Sequence, residues 1–90
     1  MNLEPELIPL IRTCIKKILP NAKIFIFGSR AKKTNRQFSD IDIAVKDQKI
    51  NPATLAKIRF ELEESALPHK FDLVNYDEID AEILGEMEEI

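Results

Sequence analysis

Residues 23–46 read KIFIFGSRAKKTNRQFSDIDIAVK, and the fold turns on this stretch. Lys23-Ile24-Phe25-Ile26-Phe27 is short, β-branched and aromatic, which predicts a strand that ends abruptly at Gly28. From Asp40 to Lys46 the pattern alternates, with Ile41, Ile43 and Val45 on one face and Asp40, Asp42 and Ala44 on the other. A period of two predicts a second strand. Between the two, residues 29–33 have room for one or two helical turns, and Thr34 to Ser39 has loop composition.

Working outward, residues 4–18 predict a helix, with Leu7, Ile8, Ile11, Cys14, Ile15 and Ile18 along one face. Pro5 suits a first turn, whereas Pro9 removes a backbone donor and makes the opening turn irregular or delays the start. Pro20-Asn21 stops this helix. Asn51-Pro52 carries a cap and first-turn signature, followed by the stripe Leu55, Ile58, Leu62 and Ala66 up to Pro68. Lys70 to Tyr76 predicts a third strand, and Asp77 is placed to cap a last helix with the stripe Ile79, Ile83, Met87 and Ile90. The expected order is α-β-α-β-α-β-α. It implies an α/β (α+β) fold, with helices packed on a small mixed three-stranded sheet.

Ninety residues bury one modest core, so residues 1–90 are expected to form a single domain. The apolar content of 44% is ordinary, and no apolar run reaches the roughly 18 to 20 residues that span a bilayer. The N-terminus lacks the basic start and apolar stretch of a secretory signal, so a cytoplasmic location without membrane attachment is expected. A single cysteine forms no internal disulfide, and Cys14 falls among isoleucines at helical spacing, as a small core residue would. Charge is unevenly spread. Residues 1–46 hold nine Lys/Arg against four Asp/Glu, and residues 47–90 hold four against twelve. An anionic ligand suits the first half and a solvated or partner-facing surface the second, while a dedicated nucleic-acid binder would carry its basic stripe across the whole domain.

The chemistry-bearing residues cluster around the first two strands. In a strand, residues two apart project to the same side about 6.5 to 7 Å apart, so Asp40 and Asp42 share one space. Asp is depleted in strands and like charges on one face repel, so a cation between them is expected. Mg²⁺ prefers hard oxygen ligands and is usually held by one or two carboxylates with phosphates and water. A glycine directly after a strand lets the backbone turn tightly, so that the following amides and the Ser29 hydroxyl can face a phosphate. Arg30, Lys32, Lys33 and Arg36 then place four cations within seven residues, of which Arg30 is the candidate for a direct role. Asp72, between Phe71 and Leu73, can join Asp40 and Asp42 if the third strand lies beside the second. Each motif alone recurs by accident, as an ordinary turn or a solvated strand edge. His69 reads as a solvated loop residue, Tyr76 as the end of the third strand, and Glu61, Glu63 and Glu64 as the wet face of a helix.

Together, Phe27-Gly28-Ser29-Arg30-Ala31, Ser39-Asp40-Ile41-Asp42-Ile43-Ala44-Val45 and Phe71-Asp72-Leu73-Val74 resemble the nucleotidyltransferase superfamily that includes DNA polymerase beta. The resemblance covers nearly the whole chain and is greatest to the minimal nucleotidyltransferases paired with HEPN proteins in prokaryotic toxin-antitoxin modules. It implies that Gly28 and Ser29 hold a nucleoside triphosphate, and Arg30, from the cation cluster, joins them as a nucleotide-binding candidate. Asp40, Asp42 and Asp72 would form the catalytic and metal-binding triad, with two Mg²⁺ ions. It further implies ATP as substrate and AMP transfer onto a hydroxyl of a HEPN-type toxin. Two departures stand out: Lys33 occupies a place where many relatives have glycine, and relatives often continue beyond the last helix.

Two other functions fit the sequence. A non-catalytic antitoxin subunit would mask its partner by contact, its nucleotide site vestigial or regulatory, and its acidic second half would cover a basic surface. A small-molecule nucleotidyltransferase would need an acceptor pocket that a second domain usually supplies. Base preference and homo-oligomerisation are left open by the sequence.

Overall fold

The computed structural model describes residues 5–27, 41–65, 70–80 and 87–90. The first helix, α1, spans Leu7–Lys16 and is shorter than the expected 4–18. Its start explains how two prolines are tolerated. Pro5 lies in the preceding turn, and Pro9 is the third helical residue, where the missing N–H has no intrahelical partner to lose. Leu7, Ile11 and Ile15, four residues apart, are buried in one line. The chain leaves the helix through the bond from Lys17 N to Thr13 O at 3.0 Å and returns to the core at Leu19.

Strand β1 (Lys23–Phe27) pairs antiparallel with β2 (Ile41–Lys46). Helix α2 follows over Pro52–Glu64, started as its sequence requires: the Asn51 side chain accepts from Thr54 N at 2.9 Å, and Pro52 occupies the first turn. Ile58 and Leu62 are the fully buried members of its stripe; Leu55 is half-buried, and Ala66 lies outside the described residues. Strand β3 (Phe71–Asn75) then runs parallel to β2, so the sheet is mixed, as expected. The turn of 3-10 helix at Tyr76–Glu78 is capped by Asn75, whose side chain accepts from Asp77 N at 3.0 Å, so Asp77 is not the cap.

The last element differs from expectation. Ile79 is extended, with φ −85° and ψ 143°, and Glu88–Glu89 forms a strand, β4, antiparallel to β1. Among the described residues the sheet therefore has four strands in the order β3-β2-β1-β4, not three, and the expected terminal helix does not include Met87 or Ile90. The physical reason is the outer edge of β1, whose backbone groups need partners. Ile90 N donates to Ile24 O at 2.9 Å, and Arg12 on α1 donates from Nη1 to Ile90 O at 2.8 Å. An isoleucine repeat that reads as a helical stripe thus ends as an edge strand whose Ile90 packs on the core.

One face of the sheet carries Ile24, Ile26, Ile41, Ile43, Val45 and Leu73, all buried against Leu7, Ile11, Ile15 and Leu19 of the α1 segment and Ile58 and Leu62 of α2. Each fully buried aliphatic side chain contributes about 1.5 to 3 kcal/mol. Both described helices pack on this face. The opposite face of the sheet, bearing the other half of each strand, carries Lys23, Asp42, Lys46 and Asp72 together with Phe25, Phe27, Ala44 and Val74. Among the described residues, no helix is long and apolar enough to cross a membrane.

Candidate functional site

Strand alternation and register together define the polar face. The pairs Phe27↔Asp42 and Asp42↔Asp72 form one row across β1, β2 and β3. Phe25, Ala44 and Val74 form the next row, and Lys23 pairs with Lys46 at the far end of β1 and β2. The bond from Ile41 N to Lys70 O at 2.8 Å sets the parallel register where β2 and β3 begin. A shift of one residue would send Asp72 to the opposite face, into the hydrophobic core.

Asp42 and Asp72 are therefore direct neighbours on adjacent strands, whose backbones run about 4.8 Å apart. Asp42 is half-buried and Asp72 exposed. Two carboxylates at this spacing on one side of a sheet bring hard oxygen donors together. Such a pair suits Mg²⁺, which takes one or two protein carboxylates and fills its remaining positions with phosphate oxygens and water. Among the described residues, no group of three or more metal-ligating side chains comes together. Asp40, Gly28, Ser29 and Arg30 lie outside the described residues, so the structure brings together two of the six nominated residues and describes none of the others.

The sequence reading missed an aromatic pair beside this row. Phe25 on β1 and Tyr76 after β3 flank β2, yet their ring centroids are 4.8 Å apart with planes tilted by 35°. The two rings meet across β2, the strand that carries Ala44, which is 0% exposed although it lies on the face away from the described helices. Lys46 Nζ sits 4.6 Å from the centroid of the Tyr76 ring, within the range of a cation-π contact. The available signal was the small residue at position 44, between two strands that place Phe25 and Val74 on either side of it.

A cleft of about 540 Å³ lies at the other end of the strands, lined in part by Lys23, Lys46, Lys49, Asp47 and Asp77. Lys46 is four residues along β2 from Asp42, roughly 13 Å at strand rise. The basic cleft and the carboxylate row are thus separate features.

Cys14 is half-buried, with Sγ 3.9 Å from Glu61 O. Burial pushes its thiol up, the Glu61 carboxylate adds to the shift, and Lys17 opposes it. A thiol held protonated is a poor nucleophile, which agrees with a packing role.

A mixed sheet with helices on one face and an Asp pair on the other is the arrangement that the motif resemblance leads one to expect, and comparison with known proteins decides the matter. The family model described as Polymerase beta, Nucleotidyltransferase matches residues 11–89. The chain belongs to this nucleotidyltransferase family. A relative from Haemophilus influenzae, described as "Probable protein adenylyltransferase MntA", is 23% identical over 77 residues, covering 84% of this chain and 68% of the relative. The match runs through β1, β2 and β3, so both described aspartates fall within the family's span.

Proposed function

We propose that this protein is a Mg²⁺- and ATP-dependent nucleotidyltransferase that transfers AMP to a hydroxyl of a protein partner, a HEPN-type toxin, and acts as its antitoxin. The observation that carries the reading is the Asp42–Asp72 neighbour pair on the polar sheet face of a chain belonging to this family. The described name of the Haemophilus influenzae relative supports a protein acceptor and adenylyl transfer.

In this reading Asp42 and Asp72, with Asp40, hold the metal ions. Gly28, Ser29 and Arg30 bind the triphosphate through backbone amides, a hydroxyl and a guanidinium. Bound Mg²⁺ would supply charge screening of the phosphates and a lowered pKa for the acceptor hydroxyl. The acceptor oxygen forms a bond to the α-phosphorus, the α-β phosphoanhydride bond breaks, and pyrophosphate leaves. The hydroxyl proton passes to a base, a role open to Asp72 because its carboxylate is exposed on the polar face.

The test incubates the protein with α-labelled ATP, Mg²⁺ and the product of the neighbouring gene. Label is expected on the partner, with a loss of at least a hundredfold in Asp42→Ala. Absence of transfer, or equal transfer by the variant, overturns the catalytic reading. Neutralisation of the partner that survives Asp40→Ala and Asp42→Ala together indicates a subunit that masks by contact.

A further inference from the structure

Beside the carboxylate row lies the only tyrosine of the chain, ring to ring with Phe25 across the strand of a buried alanine. We propose that the Phe25–Tyr76 pair is the seat of a purine base, so that the nucleotide lies along β2 with its phosphates at the Asp42–Asp72 row and its base on the two rings. The proposal rests on the nucleotidyltransferase reading and adds to it the part of the substrate that the aspartates do not touch.

The geometry is set by the pleat. Phe25 and Ala44 are one same-face step from Phe27 and Asp42, about 6.5 to 7 Å along the strands, and Tyr76 reaches Phe25 from two same-face steps beyond Asp72. A ribose between an α-phosphate and its base spans a distance of this order. Both rings are half-buried, so each keeps an exposed portion while the two pack on each other across the strand of the buried Ala44. A ring pair held in this contact is a pre-formed stacking surface, and stacking on it costs little ordering. A purine, with its larger π-face, gains more from a two-ring surface than a pyrimidine does. Among the described residues, Phe25, Ala44 and Val74 form an apolar stretch between the acidic end and the lysine end, and Glu89 of β4, paired with Phe25, borders it on the outer side.

The chain has one tyrosine and no tryptophan, so Tyr76 is its dominant intrinsic fluorophore and reports directly on the proposed contact. The full chain is titrated with Mg²⁺-ATP, Mg²⁺-UTP and Mg²⁺-tripolyphosphate. Calorimetry follows binding, and Tyr76 emission, corrected for nucleotide absorbance, follows stacking. ATP is expected to quench Tyr76 and to bind more tightly than UTP, and tripolyphosphate to bind without quenching. Tyr76→Leu and Phe25→Leu each lower ATP affinity about tenfold, in line with the worth of one base-aromatic stack. Both leave tripolyphosphate affinity unchanged, which also shows that the variants are folded. Asp42→Asn weakens ATP and tripolyphosphate together.

ATP binding without quenching, or with unchanged affinity in both ring variants, overturns the base seat while leaving the nucleotide reading standing. Equal affinities for ATP and UTP overturn the purine preference. Equal weakening of ATP and tripolyphosphate in the ring variants also overturns the proposal, because the rings then act through the fold. No binding of any of the three removes the nucleotide reading and this proposal with it.

Discussion

Replacing Ala44 by leucine tests the closure of the two rings over β2. Ala44 has no exposed surface, its register partner is Phe25, and the Phe25 and Tyr76 rings meet across its strand with centroids 4.8 Å apart. Leucine adds three heavy atoms there, and the sheet below cannot yield because Ile43 and Val45 are fully buried on the other side. Overpacking of this kind costs about 1 to 3 kcal/mol. In a domain of this size that corresponds to a fall in Tm of roughly 5 to 20 °C. The cost belongs to the rings, so it should shrink when one ring is removed. Urea denaturation of Ala44→Leu, Tyr76→Ala and the double variant, followed by circular dichroism, gives the coupling energy. We expect the leucine to cost at least about 1 kcal/mol less in the Tyr76→Ala background. Equal cost in both backgrounds, or no measurable cost in either, refutes the closure and with it the pre-formed stacking surface.

Three further outcomes are expected. Asn51→Ala removes the acceptor that Thr54 uses for both its backbone N–H and its hydroxyl, and should lower stability by about 1 kcal/mol in the same urea assay. Arg12→Met should speed hydrogen exchange of the Ile90 amide about tenfold, because the guanidinium holds β4 in place, and leave the Ile43 amide unchanged; equal exchange at Ile90 refutes that anchoring. Cys14 is held protonated by the fold, so its contribution is fully present below pH 9.0, the ordinary value for its thiol. It is lost as pH rises through the raised folded value, since the unfolded thiol ionises first. Cys14→Ala should therefore lose less stability than the native chain above pH 9.0, and parallel alkaline profiles would show that the thiol is not coupled to folding.

Much of the fold is legible along the chain because burial imposes local periods. Ile41, Ile43 and Val45 alternate, and they are buried on one face of β2 with Asp42 on the other. Leu7, Ile11 and Ile15 keep the helical period and form the buried line of α1. Asn51-Pro52 announces α2 through capping chemistry that needs only four consecutive residues. The C-terminal segment fails the same test. Ile79, Met87 and Ile90 fit a helical period, but the unpaired edge of β1 recruits Glu88 and Glu89 as a strand, and no local pattern reveals where an edge stands empty.

The candidate site divides in the same way. By itself the sequence determined that Asp42 faces away from the core, because period-two alternation with Ile41 and Ile43 leaves no other choice. It determined the family as well, through motifs whose order is a property of the chain. Only the tertiary structure decided that Asp72 stands directly opposite Asp42, since parallel register is set by the packing of α2 and the bond from Ile41 to Lys70, not by either strand alone. Only the tertiary structure brought Phe25 and Tyr76, fifty-one positions apart, together across β2. Alternation is a covalent consequence of the extended backbone. Register is a choice among pairings, and it is made where the hydrophobic faces of three separate segments must be buried at once.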